Sequence, residues 1–224
     1  GCGMKITPAR AAAFDILLKI ENDRAFSSIL LSEYEKALTP LDRGLCHALT
    51  LGVLRRQLYL DYYIDALTAP KKLDAAVRVS LRLGLFQLWF LDKVPAHSAV
   101  NDSVEMVHRA KKSSARGLVN AILRRVPTEP PPSNLSDDIE RISVETSHPR
   151  WLIEKWIGQF GVEQAISLAE ANNTEPARSF RLTTRAPADL EFAGARLSGL
   201  VAGSFLADST TPEMSAASAN GLIY

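Results

Sequence analysis

The side chains best equipped for chemistry in this sequence are cations, and they come in pairs. Arg55-Arg56, Lys71-Lys72, Lys111-Lys112 and Arg124-Arg125, with Arg116 between the last two, recur through the first 126 residues. Each guanidinium or ammonium that reaches a phosphate releases condensed counterions, so several together give salt-dependent affinity for a polyanion without reading its sequence. A lone Lys-Lys pair is most often a solvated face. A set of this size within one region points instead to RNA or DNA. Aromatic residues interleave poorly with the clusters, which favours backbone or shape recognition over base stacking.

Groups that make or break bonds are missing by comparison. His47, His97, His108 and His148 show no metal-ligand spacing, and neither Cys-x-x-Cys nor His-Glu-x-x-His occurs. His97 follows a proline near a helix start, which reads as a capping or surface role. No glycine-rich phosphate loop and no Gly-x-Ser-x-Gly is present, and Glu33/Glu35 and Asp137/Asp138 read as solvated faces. The expectation is no catalytic residue, no metal and no cofactor site within this chain. Cys2 and Cys46 cannot build a disulfide framework. Gly1-Cys2-Gly3 ahead of Met4 reads as an extension before the native start, and Cys46 falls in an apolar helical pattern as a core residue. No apolar run approaches the roughly 20 residues of a membrane span, and no signal peptide is visible. A reduced, cytoplasmic protein is expected.

The net charge of +1 conceals a division: 19 Lys+Arg against 12 Asp+Glu up to Val126, or +7, then 7 against 13, or −6. The elements that must carry the cations are helices. Val94–Val126 reads as two amphipathic helices joined by a basic turn, with Ala96, Val100, Val104 and Val107 on one seam and Leu118, Ala121, Ile122 and Leu123 on the other. Upstream, Thr7-Pro8 and Thr39-Pro40 are helix starts, the second with Asp42 three residues after the cap. The first helix buries Ala13, Phe14, Leu17 and Ile20. A second runs from Ser27 or Ser28 to Leu38 with Ile29, Leu30 and Tyr34 inward. The third carries Leu41, Leu45, Ala48, Leu49 and Val53, and Leu58 to Leu67 is turn-rich or helical. Pro70 opens a helix over Lys71–Leu91 that is apolar around much of its circumference and hence central, with Gly84 marking close packing. About seven helices are expected before Val126.

Pro127 to Asn134 contains three consecutive prolines and reads as an extended spacer. Three shorter helices follow, at Ser136–Thr146, Pro149–Phe160 and Val162–Ala171. After Asn172-Asn173, Ser179–Thr184 alternates as a half-buried strand does. Leu190–Leu200 suits a helix, and Leu222–Tyr224 looks like a strand cut off at its opening, as in a fragment. The division expected is 1–126, a helical domain; 127–136, the spacer; and 137–224, a small α/β subdomain.

Three ordered blocks carry a resemblance. VPAHSAVNDSVEMVHRAKKSSARGLVNAILRRV resembles the closing helices of NusB-type RNA-binding domains, and LTPLDRGLCHALTLGVLRRQLYLDYYID resembles an earlier block of the same domains. SHPRWLIEKWIGQFGVEQAISLAEANNTEP followed by SFRLTTR is similar to the segment that joins such a domain to the catalytic core of the Sun/Fmu-type small-subunit rRNA cytosine-5 methyltransferases. The resemblance implies a mainly α fold, a NusB-like bundle followed by a small α/β segment. It implies an enzyme using S-adenosylmethionine and an attacking cysteine, but neither the glycine-rich cofactor loop nor that cysteine is in this sequence. The chain then reads as the RNA-positioning front end, with small-subunit rRNA as partner and the methyltransferase domain as an intramolecular docking surface. The RNA-binding residues expected are Arg55, Arg56, Lys111, Lys112, Arg116, Arg124, Arg125 and, on the strand, Arg181. The Asn172-Asn173 turn also matches the family pattern, though it could simply end a helix, and Asn120 could be a packing hydrogen bonder. Two alternatives stay open: a protein-interaction module of the transcription-antitermination type, against which the 98 residues after Val126 weigh, and a scaffold for folding the core.

Overall fold

A computed structural model of the chain describes residues 6–68, 72–187, 189–208 and 210–224. Cys2 and the expected helix start at Pro70-Lys71 lie outside these. Seven α-helices precede the spacer: α1 (Pro8–Asp23), α2 (Ser27–Tyr34), α3 (Pro40–Arg55), α4 (Gln57–Thr68), α5 (Ala75–Phe90), α6 (Ala96–Arg109) and α7 (Arg116–Leu123). Their starts follow the local chemistry. Thr39 Oγ1 accepts from the Asp42 amide at 3.2 Å, and Asp74 caps α5 by accepting from the Ala76 amide at 3.0 Å. Thr7 sits at the N-cap of α1 but turns its hydroxyl to the Arg10 guanidinium, 3.1 Å away.

Helix α5 is the centre of the bundle, with Val79, Leu81, Leu83 and Leu85 all fully buried. A helix buried on every side needs neighbours that come close, and Gly84 allows it. A Cβ there would lie 2.5 Å from Leu123 Cδ1 and 2.8 Å from Ser103 Oγ, so α6 and α7 rest against the α5 backbone. The charges that enter the interior are paired. Arg10 on α1 meets Asp102 on α6 at 3.1 Å and Gln87 on α5 at 2.6 Å, while Arg82 on α5 joins Asp61 on α4 and Glu21 on α1, each at 2.7 Å. Buried ions that share hydrogen bonds in this way avoid the large cost of a lone charge in a low dielectric.

Some inward faces differ from those expected. Ile29 is 64% exposed and Leu41 88% exposed. In α2 Leu30 and Leu31 are buried and Tyr34 packs against the core, while Leu41 lies in the first turn of α3, before the buried row of Cys46, Leu49 and Val53 begins. On α7 the buried row is Val119, Ile122 and Leu123, which leaves Leu118 outside.

After the spacer, α8 (Asp138–Thr146), α9 (Arg150–Phe160) and α10 (Val162–Asn172) share a small core of Ile142, Ile153 and Ala169. The spacer is strapped down rather than free. Trp89 Nε1 donates to the Pro127 carbonyl at 3.0 Å, the Tyr59 hydroxyl to Pro131 at 2.6 Å and the Tyr63 hydroxyl to Pro132 at 2.6 Å. Ser133 gives its amide and hydroxyl to Glu145. The chain forms two compact units, divided after Asn173. A proline run without amides of its own has carbonyls to offer, and the tyrosines of α4 take them.

The second unit, from Thr174, holds β1 (Arg178–Arg181), β2 (Ala195–Leu197), β3 (Ser204–Ala207) and α11 (Pro212–Ala219). The sheet is antiparallel in the order β1-β3-β2, pairing Phe180 with Phe205 and Arg196 with Leu206. The helix expected over Leu190–Leu200 is instead β2 and its flanking turns. Gly194 adopts φ +76°, which a helix cannot, and Leu197 and Leu200 are 69% and 96% exposed, so no apolar face forms. Helix α11 escaped the sequence reading although Thr211-Pro212 repeats the start signal; Thr211 Oγ1 accepts from the Met214 amide at 3.2 Å. Leu222–Tyr224 does run as a strand would, since Arg181 and Tyr224 exchange backbone hydrogen bonds of 2.9 and 3.1 Å.

Candidate nucleic-acid interface

The turn between α6 and α7 is a Schellman closure. Lys111 is in the left-handed region at φ +60°, its amide bonds the His108 carbonyl at 2.9 Å, and the Lys112 amide bonds Val107 at 2.8 Å. Glycine is the residue that usually takes this position. Here a lysine does, and its side chain is exposed. At the other end of α7, Arg124 and Arg125 follow the last helical residue and are both exposed; Arg124 Nε donates to Asn120 Oδ1 at 2.9 Å. Asn120 therefore orients Arg124 rather than packing between helices. Among the described residues, Lys111, Arg124 and Arg125 have no carboxylate within ion-pair distance.

Other members of the expected set are already engaged. Lys112 Nζ lies 2.7 Å from Asp74, whose carboxyl this ammonium, and then the Ala76 amide, hold below the usual carboxylate range. Arg116 pairs with Glu105 at 2.8 Å, and Arg109 with Asp15 at 2.6 Å. Such exposed pairs are worth little in themselves, yet a phosphate must displace the carboxylate to use the cation. Arg55 is half-exposed at the end of α3. Arg56, its neighbour, is turned into a cleft, its guanidinium 5.1 Å from the centre of the Phe90 ring, where burial and then the charge of Arg55 lower its pKa. Arg181 is exposed on β1, in the second unit. Lys71 lies outside the described residues.

Among the described residues no group of three or more His, Cys, Asp or Glu could hold a metal ion. Cys46 is buried in α3, and burial pushes its thiol up, away from a nucleophilic thiolate. The glycine-rich loop expected for S-adenosylmethionine has no counterpart in the sequence. Among the described residues no helix is long and apolar enough to cross a membrane.

The described residues thus form a seven-helix bundle closed by a hairpin with cations at both ends of its last helix. Residues 7–127 match the NusB family, and the chain belongs to that family. Residues 148–189 match a second model, the Methyltr_RsmF/B-like, ferredoxin-like domain. Among curated relatives, the chain is 32% identical over 184 residues to the probable ribosomal RNA small subunit methyltransferase B of Bacillus subtilis, covering 80% of this chain and 41% of that protein. It is 35% identical over 183 residues to the ribosomal RNA small subunit methyltransferase B of Pseudomonas putida, with the same coverage. The chain thus spans about 41% of the length of these relatives. The crystal structure of PH0851 shares the fold, with a TM-score of 0.66 over 99% of this chain and 53% of that one at 17% identity.

Proposed function

We propose that the chain is the RNA-holding front region of a cytoplasmic, S-adenosylmethionine-dependent rRNA cytosine-5 methyltransferase, with small-subunit rRNA as its partner. It positions RNA for a catalytic core that supplies the cofactor site and the attacking cysteine. One observation carries this reading: in a NusB-family bundle whose relatives are named as small-subunit rRNA methyltransferases, Lys111, Arg124 and Arg125 are exposed and unpaired on the closing hairpin. Arg55 and Arg181 are further phosphate contacts in this reading, whereas Lys112 and Arg116 contribute only after releasing Asp74 and Glu105. The test is a titration of the chain with a small-subunit rRNA helix across a salt series. Affinity should fall steeply with salt, and Arg124→Ala and Arg125→Ala should each flatten the slope of log K against log salt by roughly 1. Absent or salt-insensitive binding overturns the proposal.

A second reading, a protein-interaction module of the antitermination type, draws on the exposed Phe26, Ile29 and Leu41 around α2 and the start of α3. A ribosomal-protein partner recovered without RNA and lost in Ile29→Glu would favour it.

A further inference from the structure

The cleft that receives Arg56 brings a guanidinium without an ion-pair partner together with an unmade hydrogen bond. It is a cavity of about 470 Å³ within the first unit, walled by Ile142 and Ile166 and carrying Arg56, Glu170 and Asn173 at its polar side. The Asn173 side chain donates Nδ2 to the Thr146 carbonyl at 2.7 Å. Only the amide nitrogen can donate there, so the orientation is fixed and the oxygen is the free end. That oxygen is buried with no hydrogen-bond partner. Arg56 stands over the Phe90 ring, half-buried, and among the described residues no carboxylate comes within ion-pair distance of it. Native proteins rarely leave a buried oxygen such as that of Asn173 unsatisfied, and it asks for an explanation.

A donor fork without an acceptor and an acceptor without a donor define their complement. The ligand must offer acceptors to an arginine and, on an adjoining edge, an N–H to an amide oxygen. Glu145 and Glu170 also line the cleft, as does Arg141, which pairs with Glu145 at 3.5 Å, so Glu170 balances Arg56 and a phosphate or other anion meets no net positive charge. Ile142, Ile166 and the volume suit a flat ring. Guanine presents O6 and N7 to an arginine as a bidentate acceptor edge, with two donors, N1–H and the N2 amine, on the adjoining edge for the two acceptors Asn173 Oδ1 and Glu170. Uracil's two carbonyls stand on either side of its N–H and form no adjacent acceptor pair. Adenine sets its amine beside both N1 and N7. Cytosine, which does offer O2 and N3 together, has only the N4 amine to donate and is the smaller ring. We propose that this cleft binds the base of an unpaired guanosine, O6 and N7 accepting from Arg56 and N1–H or the N2 amine donating to Asn173 Oδ1, with Glu170 a further acceptor. The site rests on the RNA-binding reading for its source of guanosine. It converts Arg56 from a phosphate contact into a base reader, consistent with recognition of splayed bases in single-stranded RNA.

The experiment titrates the full chain with guanosine, adenosine, cytidine, uridine and inorganic phosphate, followed by amide chemical shifts. Guanosine is expected to bind at least tenfold more tightly than the other nucleosides and to shift the signals of Arg56 and Asn173. Arg56→Met and Asn173→Ala should each weaken it at least fivefold, with unchanged circular dichroism and melting temperature as the check on folding. Should either variant unfold, Asn173→Asp provides the second measure: it keeps an acceptor but cannot donate to Thr146, and it should retain selectivity for guanosine with reduced affinity. Equal affinity for the four nucleosides, tighter binding of cytidine than of guanosine, guanosine binding unmoved by both substitutions, or shifts at Arg56 caused by phosphate alone would overturn the site. The rRNA titration run beside it separates the two proposals. If Arg124→Ala and Arg125→Ala weaken RNA while guanosine shows no selectivity, the cleft fails and the targeting reading stands. If guanosine binds selectively while no rRNA is bound, the targeting reading fails and the cleft stands.

Discussion

Lys111 sets stability against charge at a single residue. A non-glycine residue in the left-handed region costs on the order of 1 kcal/mol, and the Schellman closure of α6 requires that conformation whatever the side chain. Lys111→Gly should therefore raise unfolding stability by roughly 0.5–1 kcal/mol in urea while weakening rRNA binding and flattening its salt slope by about 1. A loss of stability, or RNA affinity unchanged at low salt, would remove Lys111 from the interface. The glycines give a second test with opposite signs. Gly84→Ala puts a methyl group 2.5 Å from Leu123 and should cost about 1–3 kcal/mol by overpacking. Gly44→Ala, with nothing within 4 Å, should gain up to about 1 kcal/mol from helix propensity. At this scale the sequence was legible in part. It marked Gly84 as a close approach and Arg124-Arg125 as the end of the closing helix. It could not show that Lys112 belongs to Asp74 or Arg116 to Glu105, because such pairings are decided by how distant segments meet.

Helices were the most readable elements, since caps and apolar spacing are local properties. Thr39-Pro40-Leu41-Asp42 announced α3, and the spacer prolines announced a break. Short helices were read correctly in position and poorly in orientation, as Ile29 and Leu118 show: eight residues are two turns, too few to fix a face. Leu190–Leu200 failed for a related reason, because an apolar count cannot tell a helix from a hairpin once Gly194 takes positive φ. The caps make a pH prediction. Lys112 first, and the Ala76 amide in lesser part, hold the Asp74 carboxyl below its ordinary range. A carboxyl whose folded pKa is depressed stabilises the fold above its unfolded pKa, and that contribution is lost as pH falls through the folded pKa. Asp137 at the start of α8, bonded by the Glu140 amide and Arg150, is shifted in the same direction. Stability should thus decline as pH drops below about 4. Asp74→Asn keeps a capping oxygen but removes the titrating charge, so its acid limb should be shallower, with a loss near pH 7 of less than about 1 kcal/mol. Parallel acid limbs for the two proteins, followed by circular dichroism, would show that Asp74 does not contribute.

Charge and packing divide the whole molecule at different places. The sign of the charge changes at the spacer, after Val126, yet the first compact unit continues to Asn173. Within that unit the basic bundle is joined to the acidic helices α8–α10, whose stretch from Pro127 to Asn173 holds 3 Lys+Arg against 8 Asp+Glu. The spacer is the fastening. Tyr59 and Tyr63 bond its carbonyls, the Tyr59 amide donates to Ser147 Oγ at 2.9 Å, and Ser147 itself closes α8 in the left-handed conformation. Tyr59 is only 6% exposed, and burial of its ring and hydroxyl raises its pKa well above that of a free phenol. If 127–136 were a free tether, a chain ending at Val126 would unfold at the same denaturant concentration as one ending at Asn173. The packing predicts otherwise. Exposing one aromatic side chain of this kind costs about 1.5–3 kcal/mol, and the lost hydroxyl bonds add roughly 0.5–1.5 kcal/mol each. The chain ending at Val126 should be less stable by at least about 2 kcal/mol, and its m-value should be smaller because less surface is buried. The chain ending at Asn173 should unfold in one cooperative transition, with tyrosine and tryptophan fluorescence coincident with circular dichroism. Equal midpoints for the two would make the bundle autonomous. Two separate transitions in the longer one would place the boundary back at the prolines.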